Sequence, residues 1–345
     1  MKALVLKEYN HFSYEDVPMP EIDLDDVLIG VKACGICGSD VHGMDGSTGR
    51  RIPPIIMGHE AAGIIAEVGA HVADFSKGDR VTFDSTIYCG KCYYCRLGLI
   101  NLCDNRRVLG VSCEEYHQNG AFAEYVVVPK HILYHLPDGL GFEQAAMVEA
   151  LSIAFHAVNR TSISLNDTAV VIGSGVIGLL VVQSLRAVNC GKIIAVDIEQ
   201  DRLDLACKLG ADEGLRADVN DVQSEVYERT GNRGADCVFE VVGIPQTIKT
   251  AVTSLKKSGS LILVGNLSST VELPLQMVVT REFSLYGSCA SKGEYPACMD
   301  MIERGQINVD ALISAVAPLA EGESWFERLY KREPGLMKII LKPLG

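Results

Sequence analysis

The sequence predicts an α/β chain in two parts. A mostly-β barrel covers residues 1–150 and is rejoined by the tail 286–345, and a doubly wound parallel sheet covers residues 151–285. Three observations predict it. A length of 345 residues suits two domains. The first 150 residues carry short β-like runs broken by Gly-Asp and proline signals. From about residue 150 onward, strand-like and helix-like stretches alternate, as in a parallel sheet flanked by helices.

The elements follow in order. Ile64-Ile65-Ala66-Glu67-Val68 and Tyr125-Val126-Val127-Val128 read as strands, with a turn at Lys77-Gly78-Asp79-Arg80-Val81. Ala169-Val170-Val171-Ile172 reads as a buried strand, followed by a glycine turn and an apolar helical stretch to Val188. A second strand, Lys192 to Asp197, precedes a helical pattern from Arg202 to Leu209. Further strands are predicted at Cys237–Gly243, Leu261–Gly265 and Phe283–Gly287. A helix from Tyr295 to Arg304 and a strand at Met337–Leu341 close the chain, which is expected to return there to the first part.

Composition narrows the function. With 48% hydrophobic and 22% charged residues the chain is neither disordered nor fibrous, and its 33 glycines follow no Gly-X-Y period. A formal charge of −13 repels polyphosphate and anionic lipid, which excludes nucleic acid and membrane as expected partners. The uncharged window Thr168–Leu185 is long enough to span a bilayer, but its three glycines, two serines and one glutamine suit a strand and a turn instead. The apolar run at Met1–Glu8 is too short for a signal peptide, so a cytoplasmic location is expected.

Of 12 cysteines, Cys89, Cys92, Cys95 and Cys103 fall within 15 residues. In a long chain such clustering points to metal rather than to a disulfide framework. Four thiolates fill the tetrahedral shell of Zn²⁺ and leave no position for water, so the expected site is structural. A bacterial iron–sulfur run would place its fourth cysteine after three residues, followed by proline; here the gap is seven, and Asp104 follows.

A second set is looser. Cys37, Ser39, Asp40 and His42 lie in one short segment, His59-Glu60 follows about 20 residues on, and Glu149 sits in the apolar run Ala145–Leu151. A carboxylate in apolar surroundings needs a partner or a metal. One thiolate, one imidazole and one or two carboxylates make a mixed zinc site of the catalytic kind, with room for water or substrate. Taken singly, each residue also suits an ordinary core or surface position.

The glycine turn Gly173-Ser174-Gly175-Val176-Ile177-Gly178 has the context a dinucleotide fingerprint requires, with Asp197 at the end of the next strand. Gly173 allows the tight turn, Gly175 lets the diphosphate approach the backbone, and Gly178 lets helix and strand pack closely. The helix N-terminus offers free N–H groups to the diphosphate. Asp197 is read as a ribose-hydroxyl acceptor that repels a 2′-phosphate, which favours NAD over NADP. Arg202 is read as an adenine-stacking residue or a surface helix charge.

Together these features resemble the zinc-containing medium-chain dehydrogenase/reductase family. The resemblance is carried by Gly35–Asp40, Gly58-His59-Glu60, the four-cysteine lobe, Gly120-Ala121-Phe122-Ala123-Glu124-Tyr125 and the glycine fingerprint, and it covers essentially the whole chain. It implies a GroES-like catalytic barrel and a Rossmann coenzyme domain. Within the family the chain is most similar to the polyol branch, alongside sorbitol, galactitol 1-phosphate and threonine dehydrogenases, which carry Glu in the Glu149 segment. The resemblance implies Cys37 and His59 as fixed ligands of a catalytic zinc, Glu60 as a ligand or exchanging neighbour, and Glu149 as a ligand directly or through water. Asp40 would orient His59, Ser39 would take the substrate hydroxyl proton, and His42 would stand further along the relay. Ile177, Asp197, Arg202, Val264 and Gly265 would line the NAD site. The implied cofactors are one catalytic and one structural Zn²⁺ per chain and NAD, the substrate is a polyol or polyol phosphate, and the assembly is a homodimer or homotetramer. Other readings are a galactitol 1-phosphate 5-dehydrogenase specifically, an L-threonine 3-dehydrogenase, a zinc-free quinone reductase, and an NAD-binding protein without activity. Two departures bear on substrate. Gly43 stands where sorbitol enzymes have an aromatic residue, and Ser288-Cys289-Ala290 lacks their arginine. Arg50, Arg51 and Lys292 are candidate phosphate-binding cations or solvated loop charges.

Overall fold

The computed structural model describes residues 1–343. The chain forms two compact units: one contains Met1–Glu149, Lys292–Arg304 and the chain from Val309, and the other contains Ala150–Ser291 and Gly305–Asn308.

The first unit is built on a seven-stranded sheet. In spatial order its strands are Leu133–His135, Arg80–Phe83, Glu60–Val68, Asp26–Gly35, Lys338–Lys342 and Ile313–Pro318, and Tyr125–Pro129 also pairs with Asp26–Gly35. A three-stranded sheet formed by His11–Asp16, Lys2–Glu8 and Ile55–Ile56 accompanies it. Strand Asp26–Gly35 is buried along almost its full length, which accounts for its continuous apolar run. Register places Gly35 opposite Glu60 on one side and Ile340 on the other. A β-carbon at Gly35 would stand 2.4 Å from Glu60 Oε2 and 3.4 Å from Lys338 Cδ. The glycine therefore leaves the gap in which a carboxylate and an ammonium from two neighbouring strands meet.

The second unit is a six-stranded, all-parallel sheet. Its strands run Glu213–Arg216, Lys192–Asp197, Thr168–Ile172, Ala235–Glu240, Leu255–Leu263 and Ser284–Gly287. In chain order this is 3-2-1-4-5-6, with strand order reversing beside Thr168–Ile172, the doubly wound arrangement that creates a ligand crevice at the strand ends. Val170, Ile172, Ile194, Val196, Val238 and Leu261 form its core. The window Thr168–Leu185 divides between the strand Thr168–Ile172 and the helix Val176–Ala187. Among the described residues no helix is long and apolar enough to cross a membrane.

The structure departs from the expected boundaries in two respects. The strand Ser284–Gly287 pairs with Leu255–Leu263, so the crossing back comes near Lys292 rather than at 286. The strand Glu213–Arg216 and the helix Val222–Arg229 were not expected, because both are rich in charged residues and depend on packing rather than on an apolar run.

Candidate metal centres and dinucleotide site

The ligand atoms of Cys89, Cys92, Cys95 and Cys103 all lie within 4.8 Å of one another. The lobe is wound tightly by turn hydrogen bonds, including Arg96 N–H to the Cys92 carbonyl and Cys103 N–H to that of Ile100. Backbone N–H groups point at sulfur: those of Cys89 and Asn105 each reach Cys103 Sγ at 3.3 Å. N–H groups of Lys91 and Cys92 pull the Cys89 thiol down to about 6. Burial, together with Cys92 and Cys103 alongside, pushes Cys95 up to about 12. Four thiolates this close repel one another, and a divalent cation removes that repulsion, so the residues fit a tetrathiolate zinc site.

The second cluster consists of Cys37, His59 and Glu60, again with ligand atoms within 4.8 Å. Cys37 caps the short helix Gly38–Gly43, and His59-Glu60 leads into the strand Glu60–Val68. His59 and Glu60 are buried, while Cys37 is partly exposed. Asp40 is fully buried. His59 Nδ1 stands 3.5 Å from Asp40 Oδ1, without the alignment of a hydrogen bond. With Nδ1 turned to Asp40, the other ring nitrogen is left for a metal. Burial alone would raise the Asp40 carboxyl, but the His59 and Arg51 charges beside it hold it well below the usual carboxylate range. A thiolate, an imidazole and a carboxylate in this arrangement fit zinc and leave its fourth position open.

Glu60 also meets a partner that sequence reasoning missed. Lys338, only 2% exposed, donates to Glu60 Oε2 at 2.5 Å and to the Ile36 carbonyl at 3.0 Å. The signal was a lone lysine heading the apolar run Ile339-Ile340-Leu341, since a charge buried there needs a counter-charge.

Three further residues have surroundings that spacing alone did not show. Glu149 is buried in the first turn of the helix Val148–Val158, but its carboxylate is not in the three-residue cluster. Its Oε1 accepts the Ser85 hydroxyl at 2.8 Å, and burial pushes its carboxyl up to about 7. Ser39 is exposed, yet no hydrogen bond joins it to His42 among the described residues; its neighbour is Arg51 Nη2 at 3.5 Å. His42 is half-buried, and burial lowers its pKa. Arg51 is neither a solvated charge nor a free phosphate ligand, because it is buried against Asp40 at 2.8 Å. Arg50 and Lys292 are exposed.

In the parallel-sheet unit the three fingerprint glycines differ in their surroundings. Gly173 has φ +99°, and a β-carbon there would meet Val242 Cγ2 at 2.6 Å. At Gly178 it would stand 1.8 Å from the Gly173 carbonyl oxygen. At Gly175 it would meet nothing within 4 Å, which is the open space a diphosphate needs. Gly175 caps the helix Val176–Ala187 without a side-chain hydrogen bond, so the first N–H groups are available to an anion. Asp197 Oδ2 accepts the Ser174 N–H at 2.6 Å, and Oδ1 accepts those of Ile198 and Glu199 at 2.8 and 3.0 Å. Its carboxylate is thus fixed beside the turn with acceptor capacity to spare. Ile177 and Val264 are partly exposed. Gly265 has a packing reason of its own: a β-carbon there would lie 2.3 Å from Gly243 N. Arg202 is partly exposed on the helix Gln200–Lys208.

Comparison with known proteins agrees with this architecture. The chain matches the alcohol dehydrogenase GroES-like domain over residues 23–138 and the zinc-binding dehydrogenase domain over residues 176–304. It is 33% identical to a sorbitol dehydrogenase of Bacillus subtilis (strain 168) over 348 residues, covering 99% of this chain and 97% of that one. It is 35% identical to a D-arabitol-phosphate dehydrogenase of Enterococcus avium over 327 residues, covering 93% and 91%. A Sinorhizobium meliloti 1021 protein solved with NADP bound superposes with a TM-score of 0.90 at 32% identity, over 99% of both chains. Kinship along nearly its whole length, with both domain types in order, makes this chain a member of the zinc-dependent medium-chain dehydrogenase/reductase family, in its polyol dehydrogenase branch, and an NAD(P)-dependent oxidoreductase.

Proposed function

We propose that the chain oxidises a secondary hydroxyl of a sugar alcohol, giving a ketose, with NAD⁺ as hydride acceptor. The observation that carries this reading is the convergence of Cys37, His59 and Glu60, with the exposed Ser39 two residues after Cys37 on the same helix start. Those three residues would hold a zinc ion, which would supply the Lewis acidity that lowers the pKa of a substrate hydroxyl. Ser39 offers a hydroxyl that accepts the substrate proton, and half-buried His42, whose pKa burial lowers, is the base that passes it to solvent. Because no hydrogen bond links Ser39 to His42 directly, the relay needs a bridging water. Glu149, whose Oε1 accepts the Ser85 hydroxyl, would serve the metal directly or through water. The Gly173–Gly178 turn binds the diphosphate, and Asp197 binds the ribose and disfavours a 2′-phosphate, although the Sinorhizobium relative holds NADP.

A neutral polyol is preferred to a phosphorylated one because Arg51 is committed to Asp40. The phosphorylated reading retains exposed Arg50 and Lys292. The four cysteines are assigned a structural zinc, and the assembly a homodimer or homotetramer, the latter on the family resemblance. The deciding experiment is NAD⁺ reduction with sorbitol, xylitol, galactitol, galactitol 1-phosphate, butanediol and L-threonine, with and without a chelator. Chelator-sensitive turnover of neutral polyols is expected. Turnover confined to phosphorylated polyols or to L-threonine would overturn the substrate assignment.

A further inference from the structure

Arg51 is 4% exposed, and a charge so buried has to be matched closely. Its Nε and Nη2 both donate to Asp40 Oδ1, at 3.2 and 2.8 Å, and Nη1 donates to the Arg50 carbonyl at 3.0 Å. The remaining Asp40 oxygen, Oδ2, accepts the backbone N–H of Cys37 at 3.3 Å. His59 Nδ1 lies 3.5 Å from Oδ1. One carboxylate is therefore pinned by the guanidinium and turned at once toward the backbone of one candidate ligand and the ring of another.

Space for this arginine is made at Gly43. A β-carbon there would stand 2.6 Å from Arg51 Cγ and 3.3 Å from Thr48 Oγ1. Gly43 has no left-handed backbone that would call for glycine, so the arginine stem is the physical reason for its size. The departure from an aromatic residue at position 43 and the buried arginine eight residues on are two halves of one packing arrangement.

We propose that Arg51, seated by Gly43, is a positioning residue of the metal centre that acts through Asp40 on His59 and Cys37. The proposal rests on the reading that Cys37, His59 and Glu60 hold a metal. A group that fixes the partner of a ligating imidazole sets ring orientation and ligand basicity, and its loss typically lowers metal affinity by about 10–100-fold. Lysine would supply the charge but not the planar pair of N–H donors that converges on Asp40 Oδ1.

The test uses the full chain loaded with Co²⁺, whose visible absorption reports ligand geometry. Wild-type protein is expected to carry a band that Cys37→Ser removes, apart from the contribution of the four-cysteine lobe. In Arg51→Met that band should shift or vanish, and a chelator should remove the ion about tenfold faster or more. The four-cysteine band should persist, and Arg51→Lys should restore the signal only in part. Gly43→Ala keeps the charge but crowds its stem, and should shift the band in the same direction. An unchanged band and release rate in Arg51→Met would overturn the proposal. If that variant loses the four-cysteine band as well, it has misfolded, and an unchanged Cys37-dependent band in Gly43→Ala then overturns the proposal instead. A wild type with no Cys37-dependent band defeats the metal reading itself, a failure seen before any arginine is changed.

Discussion

At the scale of single residues, the side chains that carry the chemistry and those that hold them in place behaved differently in sequence. Cys37 and His59-Glu60 stood out because their residue types bind metal and sit in short glycine-marked segments. The partners of Arg51 and Lys338 were not legible there, because they lie 11 and 278 residues away in the chain. Cys37→Ser is expected to abolish turnover while NAD⁺ still binds, as followed by titration calorimetry; loss of NAD⁺ binding would contradict the separation of the two sites. In metal-free protein, Lys338→Met leaves Glu60 buried without its counter-charge. Breaking one side of a buried pair costs about 3–5 kcal/mol, so its urea midpoint should fall well below that of wild type. A midpoint within error of wild type would mean that Glu60 has another partner of equal strength. At Asp197, replacement by Ser removes the charge proposed to disfavour a 2′-phosphate, and the ratio of kcat/KM for NADP⁺ to that for NAD⁺ should rise by about tenfold or more.

At the scale of elements, the fingerprint turn and the cysteine lobe were read from spacing, and the turn makes a sharp contrast testable. Gly175→Ala places its methyl in open space, so the fold should hold while KM for NAD⁺ rises. Gly178→Ala drives a β-carbon against the Gly173 carbonyl, so the coenzyme unit itself should lose thermal stability. Equal melting temperatures for the two variants would contradict the close helix–strand contact. In the lobe, Cys103→Ser removes a sulfur that receives two backbone N–H groups. It should lower stability and solubility more than the rate of hydride transfer, checked by melting temperature against single-turnover rate. Elements built from apolar runs, such as Thr168–Ile172 and Lys338–Lys342, were legible. The charged strand Glu213–Arg216 was not, because its ion pairs with Lys192 and Arg229 exist only once the sheet has formed.

At the scale of the whole molecule, the acidic balance meets many pairings that lower carboxyl pKa values. Lys2 does this at Asp16, Lys130 at Asp25, Lys192 and Arg229 at Glu213, and Arg328 at Glu333. Each of these groups has a folded value below its unfolded one of about 4. Each therefore contributes stability that is present above that pH and is lost as pH falls through the folded value. Because the pairs are largely exposed, each contribution is small and screened by salt. The melting temperature is expected to drop below about pH 4, with the part due to these pairs reduced at high salt. A salt-independent acid transition would assign it instead to proton competition at the metal ligands.

By itself the sequence determined the two-part α/β architecture, both clusters of metal-ligand residue types and the dinucleotide turn. These follow from local spacing and periodicity, which act between residues near one another in the chain. Only the tertiary structure decided which carboxylate joins Cys37 and His59, why Gly35 and Gly43 are glycine, and where the buried charges Arg51 and Lys338 find their partners. Those outcomes depend on strand register and on the cost of burying an unmatched charge, and neither exists until distant segments are packed together.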